Sequence, residues 1–472
     1  MTPSPPSLRY AWFVVFLLTL ANVSSFIDRQ ILSLLVKPLK HDLHLSDTQV
    51  SLLLGLSFAV FYTIFGMVIG RLADRYSRRN LIIGGIAIWS LMTALCGGVR
   101  TYSQFFLARM GVGVGEATLS PSAYSIIADY FPKKRLALAM SVFTMGIFLG
   151  SGLALVVGAG LIARMPTEGL VHVPVFGDVF PWQVVFFYVG LPGLAVALLL
   201  LTVKEPPRRS LLQTHGAAAN LSLAESLRLI FAHRKAYLLV CFGIACTAMV
   251  SYGLTAWVPT YFVRTFGWSV PRAGVSYGLV LVGSSIAGVL FGGWYADHLT
   301  KNGVADGRLR IGLLTSAGCL LSAFIPLIPN AQVALLALVL PSFLLAMPMG
   351  AATAAIQELM PNQVRALASS IFLFILNIVG LGLGPLLVAL FTDYLFHDEG
   401  AIRYSLTLLL VVGGVLGTIC FLAAMRPYRT ALAANDAKTA ATVPVLAGAP
   451  PHPLAASPPG EGELVGTSST SS

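Results

Sequence analysis

Apolar residues run through this chain in long blocks instead of alternating with polar ones. The blocks fall at 11–37, 50–72, 80–99, 103–126, 136–163, 182–203, 236–262, 271–296, 309–328, 331–357, 363–391 and 402–425. Each is near or above the roughly 20 residues that a helix needs to cross a bilayer. The pattern predicts an all-α membrane protein with twelve transmembrane helices. Two stretches break it. Residues 204–235 open with Lys-Glu-Pro-Pro-Arg-Arg and hold Ser222-x-x-Glu225, a capping box ahead of Leu223, Leu227, Ile230 and Phe231 at helical spacing. This segment reads as a linker with a short amphipathic helix on the membrane surface. From about residue 428 the chain is rich in Ala, Pro, Gly, Ser and Thr, which predicts a disordered tail. The expected organisation is a six-helix bundle over 1–203, the linker over 204–235, a second six-helix bundle over 236–426 and a tail over 427–472.

The two halves repeat one another. Pro132-Lys-Lys-Arg-Leu-Ala-Leu-Ala-Met-Ser-Val-Phe143 opens the fifth span and Pro361-Asn-Gln-Val-Arg-Ala-Leu-Ala-Ser-Ser-Ile-Phe372 opens the eleventh, with six identities in twelve positions. Gly70-Arg-Leu-Ala-Asp74 closes the second span and Gly293-Trp-Tyr-Ala-Asp297 the eighth. Paired six-helix units, pseudo-symmetric and rocking about a midplane site, are what alternating access requires.

Composition sharpens the class. With 56% hydrophobic residues, 10% charged residues and a mean hydropathy of +0.82, the chain cannot clothe a soluble surface. Of the 30 Lys and Arg residues, 21 fall on the side that bears both termini, seven on the opposite side, and Arg29 and Arg109 lie within spans. The positive-inside rule then puts both termini in the cytoplasm, consistent with a bacterial inner membrane, and accounts for the net charge of +11 without a nucleic-acid partner. All five cysteines fall in spans and all eight histidines in loops, helix ends or the tail, so no metal, cofactor or disulfide framework is implied. No G-x-x-x-x-G-K-[ST] loop is present for nucleotide hydrolysis, no nucleophile–base pair indicates an enzyme, and no obligate protein partner is implied.

The chemistry concentrates in four ionisable residues inside spans: Asp28, Arg29, Arg109 and Glu116. Each costs about 2.5–3.5 kcal/mol at mid-membrane, so such groups face one another or a polar cavity and carry function. Arg109 and Glu116, seven residues apart, share one helix face at about 10 Å of axial separation. Asp28 and Arg109 fall at similar depth in antiparallel helices, close enough to pair. The expectation is that Asp28 exchanges a proton, that Arg109 pairs with it when ionised, and that an anionic cargo competes for Arg109. Glu116 is a second proton site or a contact to a cationic head group. Arg29, about 100° around the helix from Asp28, either binds substrate or snorkels to the interface. Tyr252, Thr255, Trp257, Tyr277 and Asn377 are candidates for the second-half wall of the cavity.

Gly70-Arg-Leu-Ala-Asp74-Arg75-Tyr-Ser77-Arg78-Arg79 resembles motif A of the major facilitator superfamily, with Ser77 where that pattern usually has Gly, and Leu107-Ala-Arg109-x-x-x-Gly113-x-Gly115-Glu116-Ala117 resembles its motif B. The resemblance implies the major facilitator fold over roughly residues 10–425. It implies a gating role for Gly70, Asp74, Arg75, Arg78, Arg79 and Asp297, with the Asp74 carboxylate on the first turn of span eleven near Asn362 to Arg365. Phe26-Ile-Asp28-Arg29-Gln-Ile-Leu-Ser33, Leu45-Ser46-Asp47-Thr48-Gln49 and Ser120-Pro121-x-Ala-Tyr124 to Pro132 are similar to the spinster branch. That likeness implies proton coupling and substrate handling at Asp28, Arg109 and Glu116, and a lipid-like, amphipathic cargo moved with protons. Two other readings stay open: an organic-anion/proton symporter for a hydrophilic carboxylate, and a non-transporting membrane sensor.

Overall fold

A computed structural model describes residues 7–166, 169–206, 222–361 and 364–442. Eleven of its helices are each long and apolar enough to cross a membrane. The twelfth crossing is span four, made of two helices end to end, Tyr102–Glu116 and Leu119–Tyr130, with the break directly after Glu116. The twelve spans form two six-helix bundles. In the first, span one (Leu8–Gln30) packs on spans five (Lys133–Ile162) and six (Pro181–Leu200), and span three (Arg78–Cys96) packs on spans four and six. In the second, span seven (Arg234–Phe266) packs on span twelve (Ile402–Thr442), which also covers span nine (Gly307–Ser322).

Local signals set the boundaries. Ser7 caps span one through the Tyr10 backbone N–H. Span one tightens into a 3-10 turn at Ile31–Leu34, a short helix Val36–Leu43 follows, and a capping box of Ser46 and Gln49 starts span two at Asp47. The expected linker helix is present as Leu223–Ala232, with Ser222 and Glu225 in the capping box and Ile230 buried against Ala236 and Tyr237. The last span outruns its expected end. It continues as helix through Thr442, and Tyr428 and Ala431 are buried because the Tyr428 hydroxyl reaches Glu358 at 3.1 Å and Arg429 reaches Asp306 at 2.5 Å. The remainder of the expected tail, 443–472, lies outside the described residues.

The bundles meet along half their length. Toward the face away from the linker, one apolar core runs through both, from Ile31, Leu53 and Leu155 to Trp257, Tyr277 and Val388. Toward the linker face the core divides, one part drawn almost wholly from spans one to six and the other from spans seven to twelve. Span two records the divergence. A Cβ at Gly55 would collide with the Leu381 carbonyl oxygen of span eleven, whereas Gly66 and Gly70, on nearly the same helix face, have nothing within 4 Å of that position. Both helices carry a π-helical turn at the close approach, Leu52–Leu56 in span two and Leu376–Gly382 in span eleven. The bundles are therefore joined away from the linker and parted toward it.

Each bundle is clamped separately at the linker face. Buried Arg78, at the start of span three, donates to Asp129 at the end of span four at 2.5 Å and to Glu205 beyond span six at 2.8 Å, while Arg79 donates to the Val203 carbonyl. In the second bundle Arg308 pairs with Glu358 in the equivalent place. Arg78 and Arg79 thus tie the first bundle to itself. Arg75 and Asp297 are exposed and Gly70 borders open space. The expected contact of Asp74 with residues 362–365 lies outside the described side chains and residues.

Burial disfavours ionisation of Glu205, but the Arg79 backbone N–H at 2.9 Å, the Arg78 guanidinium and the Ser77 hydroxyl at 3.0 Å outweigh it and hold the carboxyl below its usual range. A carboxyl so depressed contributes stability above its unfolded value of about 4.3, and that contribution is lost as pH falls through the lower folded value. Glu205→Gln is thus expected to melt below the wild type at neutral pH, with the gap closing below about pH 4. Melting curves of both proteins in detergent across pH 3–7 check this; a constant gap contradicts it.

Candidate functional site

The four intramembrane charges converge where spans one, two and four meet, at the level of the paired π-turns. All four are shielded: Asp28 and Arg109 are 0% exposed, Glu116 is 1% exposed and the Arg29 side chain 11%. Their pairing differs from the sequence expectation. Arg109 lies at the depth of Asp28, but its Nη1 donates to the Asp28 backbone carbonyl at 3.2 Å and its Nε to the Leu53 carbonyl at 3.4 Å. Those carbonyls are accessible because one sits in the last turn of a helix and the other in a π-turn, where the regular backbone ladder gives way. The Asp28 carboxyl accepts instead from the Thr93 hydroxyl of span three at 3.3 Å. Asp28 Oδ1, Arg109 Nη2 and Glu116 Oε1 have no hydrogen-bond partner among the described residues.

Arg29 belongs to the buried site, its side chain 11% exposed. It turns inward, and its Nε donates to Glu116 Oε2 at 2.5 Å, an oxygen that also accepts from the Ser25 hydroxyl. Its guanidinium carbon lies 4.6, 4.3 and 4.7 Å from the ring centroids of Phe26, Phe58 and Tyr62. Arginine suits such a cage, since its planar, weakly hydrated cation stacks on rings while forking to a carboxylate. Snorkelling is unnecessary for a cation so compensated. The clue in the sequence was the spacing of Phe58 and Tyr62, one helical turn apart on span two; their direction toward span one was not readable there.

Beside Arg29 a small cleft of about 20 Å³ lies between the bundles, lined by Phe26, Gln30 and Phe58 of one and Tyr252, Ala256 and Leu381 of the other. Tyr252 is thus at the site. Thr255 is buried one turn further along span seven, and its backbone carbonyl accepts from the Gln30 amide at 3.2 Å. Trp257 is wholly buried and donates to the Pro385 carbonyl at 3.0 Å, a packing contact with span eleven. Tyr277 is buried beside Thr255 and Ser342. Asn377 is half-buried in the span-eleven π-turn, one turn from Leu381 toward the parted end.

A second charged cluster joins the bundles at the face away from the linker, and sequence reasoning counted its cations only as loop charges. Asp47, 0% exposed, accepts from Lys40 at 2.6 Å and from Arg264 of span seven at 2.6 and 2.7 Å. Thr48 donates its backbone N–H and hydroxyl to Asp393 of span eleven, both at 2.7 Å. Of the partners of Asp47 only Lys40, seven positions away, is local; Arg264 lies 217 positions off, and Asp393 lies 345 positions from Thr48.

Comparison with known proteins agrees with this architecture. A family model described as Major Facilitator Superfamily matches residues 18–385. An MFS-type efflux pump of Mycolicibacterium smegmatis is 30% identical over 89% of this chain and 94% of its own. A hexuronate transporter of Bacillus subtilis is 26% identical over 82% of this chain and 89% of its own. The crystal structure of a bacterial homolog of the human lysosomal transporter Spinster, inward-facing and unoccupied, superposes with a TM-score of 0.71 at 26% identity, covering 90% of this chain and 98% of the other.

The caged pair makes a stability prediction. Arg29→Ala leaves Glu116 buried without its cation and is expected to cost about 3–5 kcal/mol, whereas the double variant Arg29→Ala/Glu116→Gln regains most of that loss. Reversible unfolding in mixed micelles measures the cycle, and strictly additive single costs would mean that the two side chains do not interact.

Proposed function

The chain belongs to the major facilitator superfamily and is spinster-like within it, and from that premise we propose a proton-coupled secondary transporter for an amphipathic organic anion. One observation carries the reading: the Arg29 guanidinium faces the cleft between the bundles, held by a single carboxylate and by three aromatic rings. An anionic head group entering from the parted side meets that cation, and the rings offer its apolar part a surface.

Coupling follows from competition for one cation. When cargo takes Arg29, Glu116 loses its counter-ion in a dry interior and binds a proton, because an unpaired buried charge is too costly to keep. When cargo leaves, Arg29 returns to Glu116 and the proton departs. Asp28, the residue before Arg29, whose carboxyl accepts from the Thr93 hydroxyl, serves as a second proton carrier. Arg109 is pinned to two backbone carbonyls and supplies a fixed positive field beside it. This assignment moves the competition from Arg109, where the sequence suggested it, to Arg29.

Access is from one side at a time. By the positive-inside rule the linker face is cytoplasmic, so the parted end opens inward in a bacterial inner membrane, and the Asp47–Arg264 and Thr48–Asp393 contacts close the outer side. The site has the makings of ion and cargo exchange and no catalytic role is assigned to it. A hydrophilic carboxylate is the second reading, favoured by the likeness to a hexuronate transporter.

Purified protein in liposomes loaded with a pH-sensitive dye tests both. Lysolipids and small organic acids are added separately with no imposed gradient. Proton movement is expected with the lysolipid panel and is expected to vanish in Asp28→Asn and in Glu116→Gln, both still folded by melting curve. Movement with the organic acids alone selects the second reading, and full coupled flux in both variants refutes the proton assignment.

A further inference from the structure

On the face away from the linker, a cavity of about 520 Å³ opens between the segment joining spans one and two and the ends of spans seven and eight. That size falls within the roughly 300–1,000 Å³ usual for small-molecule sites. Leu34, Leu45, Val263 and Val270 give it apolar lining, and Lys37, Lys40 and Arg264 line it as cations, with His41 and His44, against one lining carboxylate, Glu399.

The two carboxylates that engage these cations are unequal. Asp47 lies behind the cavity, fully buried, fixed at the first turn of span two and held by both Lys40 and Arg264. Glu399 comes from the turn before span twelve and its side chain is 60% exposed, yet its two oxygens reach Lys40 at 2.6 Å and Arg264 at 3.1 Å. Lys37 is exposed and forms no ion pair among the described residues. An exposed carboxylate gains little from such contacts in water and is readily exchanged. It occupies the place that a ligand's carboxylate would take, bridging two cations with a third beside them.

We propose that this cavity is a binding vestibule for an amphipathic carboxylate and that Glu399 is its built-in competitor. The ligand head group replaces Glu399 on Lys40 and Arg264 and gains Lys37, while its apolar part lies on Leu34, Val263 and Val270. Asp47 keeps its hold on Arg264, so the bundles stay joined, but the Lys40–Glu399 link between them is released. The site uses none of the central charges and goes beyond the transport reading: either can fail without the other.

Titration calorimetry on the full chain in neutral-lipid nanodiscs, with empty nanodiscs subtracted, tests this using octanoate as probe and glucuronate as its hydrophilic counterpart. Octanoate is expected to bind about three- to tenfold more tightly in Glu399→Gln and more weakly by a similar factor in Lys37→Ala. The tightening should persist in an Arg29→Ala background, which disables the central cation. Unchanged or weaker octanoate affinity in Glu399→Gln, or a tightening that disappears with Arg29→Ala, overturns the vestibule. Glucuronate binding as tightly as octanoate overturns the amphipathic ligand class.

Discussion

A guanidinium cannot sit bare between apolar helices, and the compensation of Arg29 is the constraint around which the interior of this protein is arranged. Glu116 supplies the counter-charge and Ser25 a further hydrogen bond, while Phe26, Phe58 and Tyr62 place negative ring faces against the cation. Those five side chains come from spans one, two and four, so the charge can be kept only if the three helices meet at one level. Arg109 meets the same requirement differently, through carbonyls released where spans one and two depart from regular helix. Irregular backbone is thus part of the charge site, because the carbonyls it frees are the acceptors that Arg109 uses.

The two bundles also meet at this level. Two π-turns face each other across the seam, and Gly55 admits the backbone of span eleven where a side chain would exclude it. Span five does likewise on the other side of the seam, where Gly152 lies against Gly278 of span eight. Beyond these contacts the bundles separate, each with its own core and its own Arg-carboxylate clamp at the linker face. Internally clamped halves joined over part of their length are suited to moving as rigid bodies, since a motion between them need not disturb either interior.

Ion pairs at the far face complete the picture. Asp47 is buried but shared between a cation of its own bundle and one of the other, so its satisfaction depends on the two halves being closed. Parting the bundles there would break the Asp47–Arg264 and Lys40–Glu399 pairs together, while Lys40–Asp47 lies within one bundle. In the proposed mechanism the central charges exchange with cargo and protons, whereas Asp47 and Arg264 pair across the bundles at the far face.

The class of the protein was legible without coordinates. Apolar runs of bilayer length, the Lys and Arg asymmetry, the repeated Pro132 and Pro361 segments and the internal charges led to a twelve-span, two-bundle transporter, because the bilayer forces helical crossings and penalises every unpaired charge. Even the linker helix followed from its capping box. Partner choice was not legible. Arg29 reads as a substrate contact or a snorkelling cation, and Lys40 and Arg264 as loop charges, since helical spacing tells which residues share a face and not toward which distant helix that face turns. Tertiary packing decided that Arg29 takes Glu116, that Arg109 is spent on carbonyls, and that Arg78 clamps its own bundle. Each outcome depends on residues 51 to 127 positions apart being brought within hydrogen-bond reach. Sequence set how many charges the membrane must accommodate; the packing of the helices set which charge answers which.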